Sequence, residues 1–232
     1  MKRSLCMVSG ETAVSDQIFQ EVPSASQEAD AKADATLHAS EFELFPENYF
    51  APLDLAAVFG RIAPLEVDLG CGDGGFFAQL AAKFPERNYL GIEKLGGRVR
   101  RGCKKAARLA VRNLRFLRIE SAYAVEYLLP PGSVEAVHLL FPDPWPKKKH
   151  KRRRIVQPAF LESIHRVLGP GGRFRIATDQ ETYFKTISDL ISPAAFAEEC
   201  PPPGESFPVT TFERHFIREG APIYRLDLRK AS

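Results

Sequence analysis

The sequence predicts a single α/β domain built on a doubly wound, mostly parallel sheet of seven strands, preceded by a disordered N-terminal arm. Two observations support this prediction. From residue 64 onward, short apolar segments with strand character alternate with amphipathic segments with helical character. The chain of 232 residues, 44% of them hydrophobic, is long enough for one large core and short for two domains.

The predicted elements follow one another in a regular order. The strands span residues 65–69, 88–93, 114–119, 134–141, 173–178, 195–199 and 223–228. The helices span residues 76–84, 98–111, 157–168 and 182–191; the second is strongly basic, and Gly169 closes the third. In a sheet wound this way ligands bind beyond the carboxyl ends of the strands. The residues that follow each strand are therefore the candidates for a functional site.

An acidic arm precedes a basic body. Residues 1–45 hold three basic and eight acidic residues, a net charge of −5, and since the whole chain carries +3 the remainder carries +8. Residues 1–40 are rich in Ala, Ser, Glu and Asp, so we expect a disordered arm there and a folded domain over residues 41–232. The basic body favours a polyanionic partner.

The composition argues against membrane and metal-binding proteins. No apolar run approaches the roughly 20 residues that span a membrane, and residues 1–10 lack the apolar stretch of a signal peptide. The four cysteines show no metal-ligand spacing and are interpreted as free thiols in a reducing compartment. We therefore expect a cytoplasmic protein without a membrane partner or a bound metal.

A glycine-rich loop and an acid indicate a cofactor that contains a nucleoside. The first strand runs into Asp68-Leu69-Gly70-Cys71-Gly72-Asp73-Gly74-Gly75, and Glu93 ends the second strand. Glycines permit a sharp turn and a close approach of a ligand to the backbone. The spacing Gly70-x-Gly72-x-x-Gly75 fits a dinucleotide, and Asp68-x-Gly70-x-Gly72-x-Gly74 fits S-adenosylmethionine, so the loop alone leaves both cofactors open.

The most informative stretch follows the predicted fourth strand. Phe141-Pro142-Asp143-Pro144-Trp145-Pro146 precedes seven Lys or Arg residues within positions 147–154. Three prolines stiffen the turn that carries Asp143 and Trp145. An acid, an aromatic ring and a run of cations beside a cofactor suit a nucleobase attached to a phosphate backbone. The alternatives are a Trp that fills the core, a solvated basic loop and a nuclear-import signal.

These segments resemble the bacterial tRNA (guanine-N7-)-methyltransferase family, which has the Rossmann-like fold of class I S-adenosylmethionine-dependent methyltransferases. The resemblance extends roughly over residues 42–230. It is carried by Asp68-Leu69-Gly70-x-Gly72-x-Gly74, Gly91-Ile92-Glu93, Phe141-Pro142-Asp143-Pro144-Trp145-Pro146-Lys147-Lys148-Lys149-His150-x-Arg152-Arg153, Ala177-Thr178-Asp179, and Thr210-x-x-Glu213 followed by Pro222-Ile223-Tyr224-Arg225-Leu226.

The resemblance implies an enzyme that transfers a methyl group from S-adenosyl-L-methionine to N7 of a guanine in the variable loop of tRNA, at the position conventionally numbered 46. Both a monomer and a homodimer are compatible with the sequence. Matched by position, and together with the loop glycines, the implied cofactor contacts are Asp68, Gly70, Gly72, Glu93, Ser121 and Asp143. The implied substrate contacts are Lys147, Asp179, Thr210 and Glu213.

Two positions depart from the family pattern. Asp68 stands where the family usually has Glu, and Ser121 stands where it more often has Asp or Asn. A serine hydroxyl still bonds the adenine edge of the cofactor, but less strongly than a carboxylate. Asp179 also has a second interpretation, as the N-cap of the helix that follows it.

Methylation at N7 needs little from the protein beyond alignment and charge. Guanine N7 carries an in-plane lone pair, so no general base is required. Asp143 is the candidate catalytic residue, because a carboxylate there either holds the N1–H and N2–H edge of the guanine or opposes the positive charge that develops on it. The order Asp143-Pro144-Trp145-Pro146 differs from the Asp/Asn-Pro-Pro-aromatic turn typical of exocyclic-amine methyltransferases.

Three rival functions compete with this interpretation. A nicotinamide oxidoreductase uses the same glycine loop but leaves Trp145 and the basic run unexplained. A non-catalytic RNA-binding protein leaves the two acids Asp68 and Glu93 unexplained. A methyltransferase that acts on another RNA shares every feature noted so far.

Overall fold

The computed structural model describes residues 38–199 and 209–231, and its centre is a mixed sheet of eight strands. The strands lie in the order β1-β4-β3-β2-β5-β6-β8-β7, and only β8 runs antiparallel to its neighbours β6 and β7. Their bounds are β1 Glu43–Leu44, β2 Leu65–Leu69, β3 Asn88–Ile92, β4 Leu114–Leu117, β5 Val134–Leu140, β6 Leu168–Thr178, β7 Phe196–Glu199 and β8 Tyr224–Lys230.

Helices connect the strands and cover the sheet. They are α1 Leu55–Phe59, α2 Gly75–Lys83, α3 Gly96–Arg108, α4 Ser121–Tyr123, α5 Pro158–Val167, α6 Glu181–Leu190 and α7 Thr211–Arg218. The short α4 continues into a π-type turn over Ala124–Leu128, and two 3-10 helices span Ala39–Phe42 and Lys148–Arg153. No helix in the described ranges is long and apolar enough to cross a membrane.

The local sequence explains where several helices begin and end. The Asp54 carboxylate accepts a hydrogen bond of 3.0 Å from the Ala57 amide and caps α1, which ends at the left-handed Gly60. Proline occupies the first turn of α5, where its missing N–H has no helical partner to lose. These signals act over a few residues, so they operate before any tertiary contact forms.

The core lies on both faces of the sheet. All residues of β2 and β3 are buried, as expected for central parallel strands covered by helices. The Phe116 ring lies against three backbone segments: a Cβ added at Gly74, Gly91 or Gly102 would come within 2.5, 2.7 and 2.8 Å of it. Glycine at these positions lets the loop after β2 and the helix after β3 pack directly on the sheet.

A buried ionic cluster supports α2 from below. His138 on β5 is 2.8 Å from the Glu66 carboxylate on β2, and its ring lies edge-on to Phe76 and Phe77. Burial opposes ionisation of Glu66, but the hydrogen bond and the charge of His138, followed by the charge of Arg87, outweigh it and lower the pKa of Glu66. The cluster fixes the helix that begins at the glycine loop.

The predicted fold class is confirmed, with differences at the margins. All seven predicted strands are present; the eighth, β1, has two residues and pairs with β4 through Glu43↔Phe116 and Leu44↔Leu117. Gly169 does not close the third predicted helix, because α5 ends at Val167 and Gly169 lies inside β6. Helices α1 and α7 were not predicted.

Most of the predicted arm lies outside the described ranges, namely residues 1–37, as do Cys6 and Cys200. The last three residues of that arm are described, and the 3-10 helix begins there, at Ala39. Cys71 and Cys103 are described, and both are buried free thiols, as predicted.

Candidate functional site

The glycine loop is held at the carboxyl end of β2 in a conformation that requires glycine. Gly70, Gly72 and Gly74 have φ angles of 78°, 59° and 68°. The amides of Gly70 and Cys71 donate to the Ile92 carbonyl at 2.8 and 3.0 Å, which ties the loop to the end of β3. A Cβ added at Gly70 or Gly72 would meet no atom within 4 Å, so the space beside both is open to a ligand.

Asp68 is a buried acid at the end of a strand. It is the last residue but one of β2, just before the glycine loop, and it is only 4% exposed. Within the part of the chain that the structure describes, its carboxyl group makes no hydrogen bond or ion pair. Burial, and then the nearby charge of Glu93, raise the pKa of Asp68 to about 8. A buried carboxyl group in this state favours a cationic ligand group, which would restore its ordinary ionisation.

Glu93 follows β3 and is oriented by its neighbours. It is 4% exposed, and its carboxylate accepts a hydrogen bond of 2.9 Å from the Leu95 amide. Arg98, on the first turn of α3, lies 3.5 Å from the other carboxylate oxygen. Because a carboxylate has about four lone-pair sites, it keeps capacity for two further hydroxyl donors such as those of a ribose.

A cleft lies beside the glycine loop, and we call it the cofactor cleft. Its walls come from β2 and the loop after it, from α2, from α3, from the end of β5 and from the start of α7. The lining residues are Asp68, Gly70, Cys71, Gly72, Asp73, Phe76, Arg98, Arg101, Leu140, Thr210, Thr211 and Phe212.

The cleft contains residues that the sequence analysis missed. Phe212 lies two positions after the predicted contact Thr210, and Arg101 lies one turn after Arg98 on α3. The helical spacing of three residues could have placed Arg101 beside Arg98. By contrast, no feature of the local sequence shows that α7 lines the same cleft as the glycine loop. Ser121 is half-buried at the start of α4 and does not belong to the lining residues. The other two predicted cofactor contacts outside the lining are Glu93 and Asp143.

The turn after β5 is strained and held at several points. Phe141 and Trp145 have φ angles of 54° and 40°, which non-glycine residues rarely adopt. The Phe141 amide donates to the Ala177 carbonyl at 2.7 Å, and its ring packs on Phe216 of α7 with 5.2 Å between centroids. Asp143 lies between the two strained residues with its side chain exposed. The carboxylate is thus presented to solvent by a fixed backbone.

Trp145 does not fill the core. It is half-buried and packs against its own segment, edge-on to His150 at 5.7 Å and beneath the Arg153 guanidinium at 5.1 Å from the ring centre. The core-filling alternative is therefore excluded. The ring instead organises the cations that follow it.

Arg154 differs from the other cations of the run. It is 5% exposed, donates from Nε to the Pro144 carbonyl at 2.8 Å, and stacks on the Tyr183 ring at 4.5 Å. This arginine holds the turn against α6, so its guanidinium is not presented to solvent as the other cations of the run are. The exposed members are Lys147, Lys149, Lys151, Arg152 and Arg153, and we call residues 147–153 the basic loop.

The remaining predicted substrate contacts have local partners. The Asp179 carboxylate accepts a hydrogen bond of 2.5 Å from the Gln180 side chain, and the N-cap of α6 is Gln180, so Asp179 is not the cap. The Thr210 hydroxyl caps α7 by accepting from the Glu213 amide at 3.0 Å, and the Glu213 carboxylate pairs with Arg225 of β8. Of the three, only Thr210 lines the cleft.

In the described ranges, no group of three or more His, Cys, Asp or Glu side chains could hold a metal ion. The site consists of an acid-lined glycine cleft beside a rigid turn with an exposed carboxylate and a basic loop. Such a site is suited to group transfer between a cofactor and a large anionic substrate.

The fold and the cleft define a class of protein, the methyltransferases: residues 62–226 match the family model described as putative methyltransferase. Two solved methyltransferase structures share the fold. The 16S rRNA methyltransferase KamB has a TM-score of 0.55 at 16% identity, with 77% of this chain and 93% of that chain covered. The antibiotic-resistance methyltransferase Kmr has a TM-score of 0.53 at 20% identity, with 77% and 92% covered.

Two sequence relatives narrow the class further, and both are named tRNA (guanine-N(7)-)-methyltransferase. The relative from Halorhodospira halophila is 39% identical over 183 residues, 76% of this chain and 79% of its own length. The relative from Geobacter metallireducens is 34% identical over 204 residues, 84% of this chain and 95% of its own. The chain belongs to the tRNA (guanine-N7-)-methyltransferase family, which confirms the predicted resemblance. It is an enzyme that uses S-adenosylmethionine, and the nicotinamide alternative is excluded.

Proposed function

We propose that this enzyme methylates N7 of a guanine in the variable loop of tRNA, at the position conventionally numbered 46. The observation that carries the proposal is the position of the strained turn. Leu140 lines the cofactor cleft, and the turn with Asp143 and the basic loop begins at the next residue, Phe141. A guanine base that enters the cleft therefore passes the Asp143 carboxylate, while the phosphate backbone of the RNA passes the cations of the basic loop.

The cleft fits S-adenosylmethionine. Asp68 is a buried carboxyl group without a partner in the described chain, and the cofactor carries an ammonium group on its methionine part. The space beside Gly70 and Gly72 is open, and Glu93 keeps lone pairs for ribose hydroxyls. Ser121 remains our candidate for the adenine edge, although it lies outside the lining of the cleft. When bound, the cofactor supplies an electrophilic methyl group on a sulfonium.

The side chains of this enzyme mainly position the guanine. Alignment of reacting groups supplies on the order of 7–11 kcal/mol of a barrier, and N7 needs no deprotonation. The methylated purine is cationic, so the exposed Asp143 carboxylate stabilises it, either through the N1–H and N2–H edge or through charge. The turn is fixed before substrate binds, which limits the reorganisation needed during the reaction.

The exposed cations of the basic loop are proposed to hold tRNA phosphates, with Lys147 closest to the reacting guanine. Asp179, Thr210 and Glu213 are proposed to contact the substrate in addition to the local bonds they make. Proteins that bind RNA phosphates do so with exposed Lys and Arg side chains, and Lys147 is exposed. We also propose a cytoplasmic location, which is supported by the unpaired thiols of Cys71 and Cys103.

The test combines an altered protein with an altered substrate. Asp143→Ala should lose most methyl transfer from labelled S-adenosylmethionine to tRNA, with an unchanged circular dichroism spectrum. Asp189→Ala, which removes an exposed carboxylate from α6, is the matched control and should transfer methyl groups at the wild-type rate.

A tRNA transcript with 7-deazaguanine at the variable-loop guanine should accept no methyl group, because carbon replaces the nucleophilic nitrogen. Methylation of that transcript at the normal rate would show that N7 is not the target. A normal rate for Asp143→Ala would show that this carboxylate has no role in the reaction.

A further inference from the structure

Helix α3 carries a second basic surface that the proposed mechanism does not use. Six of its thirteen residues are Lys or Arg and none is acidic. Its buried face consists of Val99, Gly102, Cys103 and Ala106, which pack against the sheet. The cations occupy the opposite side of the helix, where burial does not explain them.

Three of these cations form a stripe along one face of the helix. Arg100, Lys104 and Arg108 are spaced four residues apart, so they follow one another at roughly 6 Å intervals along the axis, and all three are exposed. We call them the helix stripe. Arg118, from the loop after β4, extends it: a Cβ added at Gly96 would lie 3.0 Å from its guanidinium, so this side chain lies over the start of α3.

The helix stripe has no acidic partner within residues 38–199 and 209–231. Two carboxylates close to α3 pair with cations outside the stripe, Asp73 with Lys105 at 2.7 Å and Glu93 with Arg98 at 3.5 Å. Arg100, Lys104 and Arg108 form no hydrogen bond or ion pair with the described residues. Like charges four residues apart destabilise a helix, and of the three only Arg108, in the last turn, gains from the helix dipole. The described part of the chain therefore gives no stability reason for Arg100 and Lys104.

Helix α3 carries both the stripe and part of the cleft wall. Arg98 and Arg101, on the first turns of α3, line the cleft, and the stripe lies on a neighbouring side of the same helix. In the sheet, β3 and β5 lie on opposite sides of β2. Helix α3 follows β3 and the basic loop follows β5, so two cationic surfaces flank the cleft on its two sides.

We propose that the helix stripe is a second binding surface for the tRNA backbone, on the opposite side of the cofactor cleft from the basic loop. This inference rests on the proposed function. A tRNA whose variable-loop guanine enters the cleft continues on both sides of it, and its phosphates on the α3 side meet Arg100, Lys104 and Arg108. The stripe acts in tRNA binding and touches neither the cofactor nor the reacting base.

Salt dependence of tRNA affinity measures these contacts directly. Each phosphate contact contributes about 0.7 to 0.9 to the slope of log affinity against log salt. Arg100→Gln/Lys104→Gln/Arg108→Gln replaces three cations by helix-forming neutral residues. Its slope should be shallower than that of the wild type by about 2 to 3, and its affinity at 0.1 M salt should fall on the order of 100-fold. Arg100→Lys/Arg108→Lys keeps the charges and should keep the slope.

A matched pair of single variants decides the question even if the triple variant folds poorly. Lys104 and Lys83 are both exposed lysines on helices, but Lys83 lies in the last turn of α2, at the end remote from the cleft. Lys104→Gln should lower the slope by about 0.7 to 0.9, and Lys83→Gln should leave it unchanged. Calorimetry with adenosylhomocysteine serves as the check on folding.

The outcomes separate this inference from the proposed function. If the wild type binds and methylates tRNA while Lys104→Gln and Lys83→Gln give parallel salt lines, the stripe only faces solvent and the inference is wrong. If the wild type neither binds nor methylates tRNA, the proposed function fails, and the inference with it.

Discussion

Replacing Asp68 with asparagine should stabilise the unliganded enzyme and weaken its hold on the cofactor. The carboxyl is 4% exposed, and burial followed by the charge of Glu93 raises its pKa to about 8 from an ordinary value of 3.8. The unfolded chain therefore ionises this group near pH 4, while the folded chain keeps it protonated until about pH 8. Stability is lost across that window as the pH rises, by about 1.4 kcal/mol per pH unit and on the order of 5 kcal/mol in all.

Asparagine has a similar shape and does not ionise, so the variant escapes this loss. Between pH 6 and pH 8 the advantage of Asp68→Asn should grow by about 2.3 kcal/mol, which for a domain of this size is about 5–9 °C in melting temperature. Differential scanning fluorimetry of the unliganded wild type and variant at several pH values measures it. A difference in melting temperature that stays constant with pH would refute the reasoning.

When the cofactor is bound, aspartate at position 68 should be favoured over asparagine, because the ammonium group of the ligand stabilises the ionised carboxyl. Below its pKa the fraction of ionised Asp68 rises roughly tenfold per pH unit. Wild-type affinity for adenosylhomocysteine should therefore rise by about that factor from pH 6 to pH 7, whereas Asp68→Asn should bind more weakly and without this dependence. Calorimetry that found the same pH profile for both proteins would show that Asp68 does not face the cationic end of the ligand.

Two further substitutions test the site. Glu93→Ala should weaken binding of S-adenosylmethionine roughly 10–100-fold by calorimetry, because a charged hydrogen bond to the ribose is worth roughly 1.5–3 kcal/mol; unchanged affinity would remove Glu93 from the cofactor contacts. Arg154→Ala should lower the free energy of unfolding by about 3 kcal/mol in a urea titration and reduce methyl transfer, because the Pro144 carbonyl loses its donor and Tyr183 loses a stacked cation. Arg154→Lys should rescue little, since lysine lacks the planar fork of donors; full stability of Arg154→Ala would show that the turn holds itself.

The local pattern of residues along the chain was sufficient to predict the strands of the sheet and the position of the glycine loop. The seven predicted strands were found because apolar residues either alternate with polar ones along them, as in β2 and β8, or follow one another, as in β3, and such patterns are visible in one dimension. The glycine loop and Glu93 were found for a related reason: in a parallel sheet, position along the chain at a strand end fixes position at the ligand edge. Family membership followed from the turn at residues 141–146, whose residue order is unusual.

Short or distant features required the tertiary structure. Strand β1 has two residues, too few to show a period, and it exists only through its pairing with β4. Helix α7 and the glycine loop line the same cleft although about 140 residues separate them along the chain. No local signal reports a contact over that separation, because it depends on how β8 returns antiparallel beside β6.

For individual side chains, too, the sequence determined one part of the chemistry and the tertiary structure determined the other. Composition showed that residues 147–154 are cationic, but only the fold showed that Arg154 is buried against Tyr183 while Lys147 faces solvent. The sequence placed an acid at Asp68, but the fold removed it from water and gave it no donor among the described residues. Residue type determines which charges a chain carries, whereas desolvation and partners depend on atoms brought together from distant strands, and these decide which charges remain available for function.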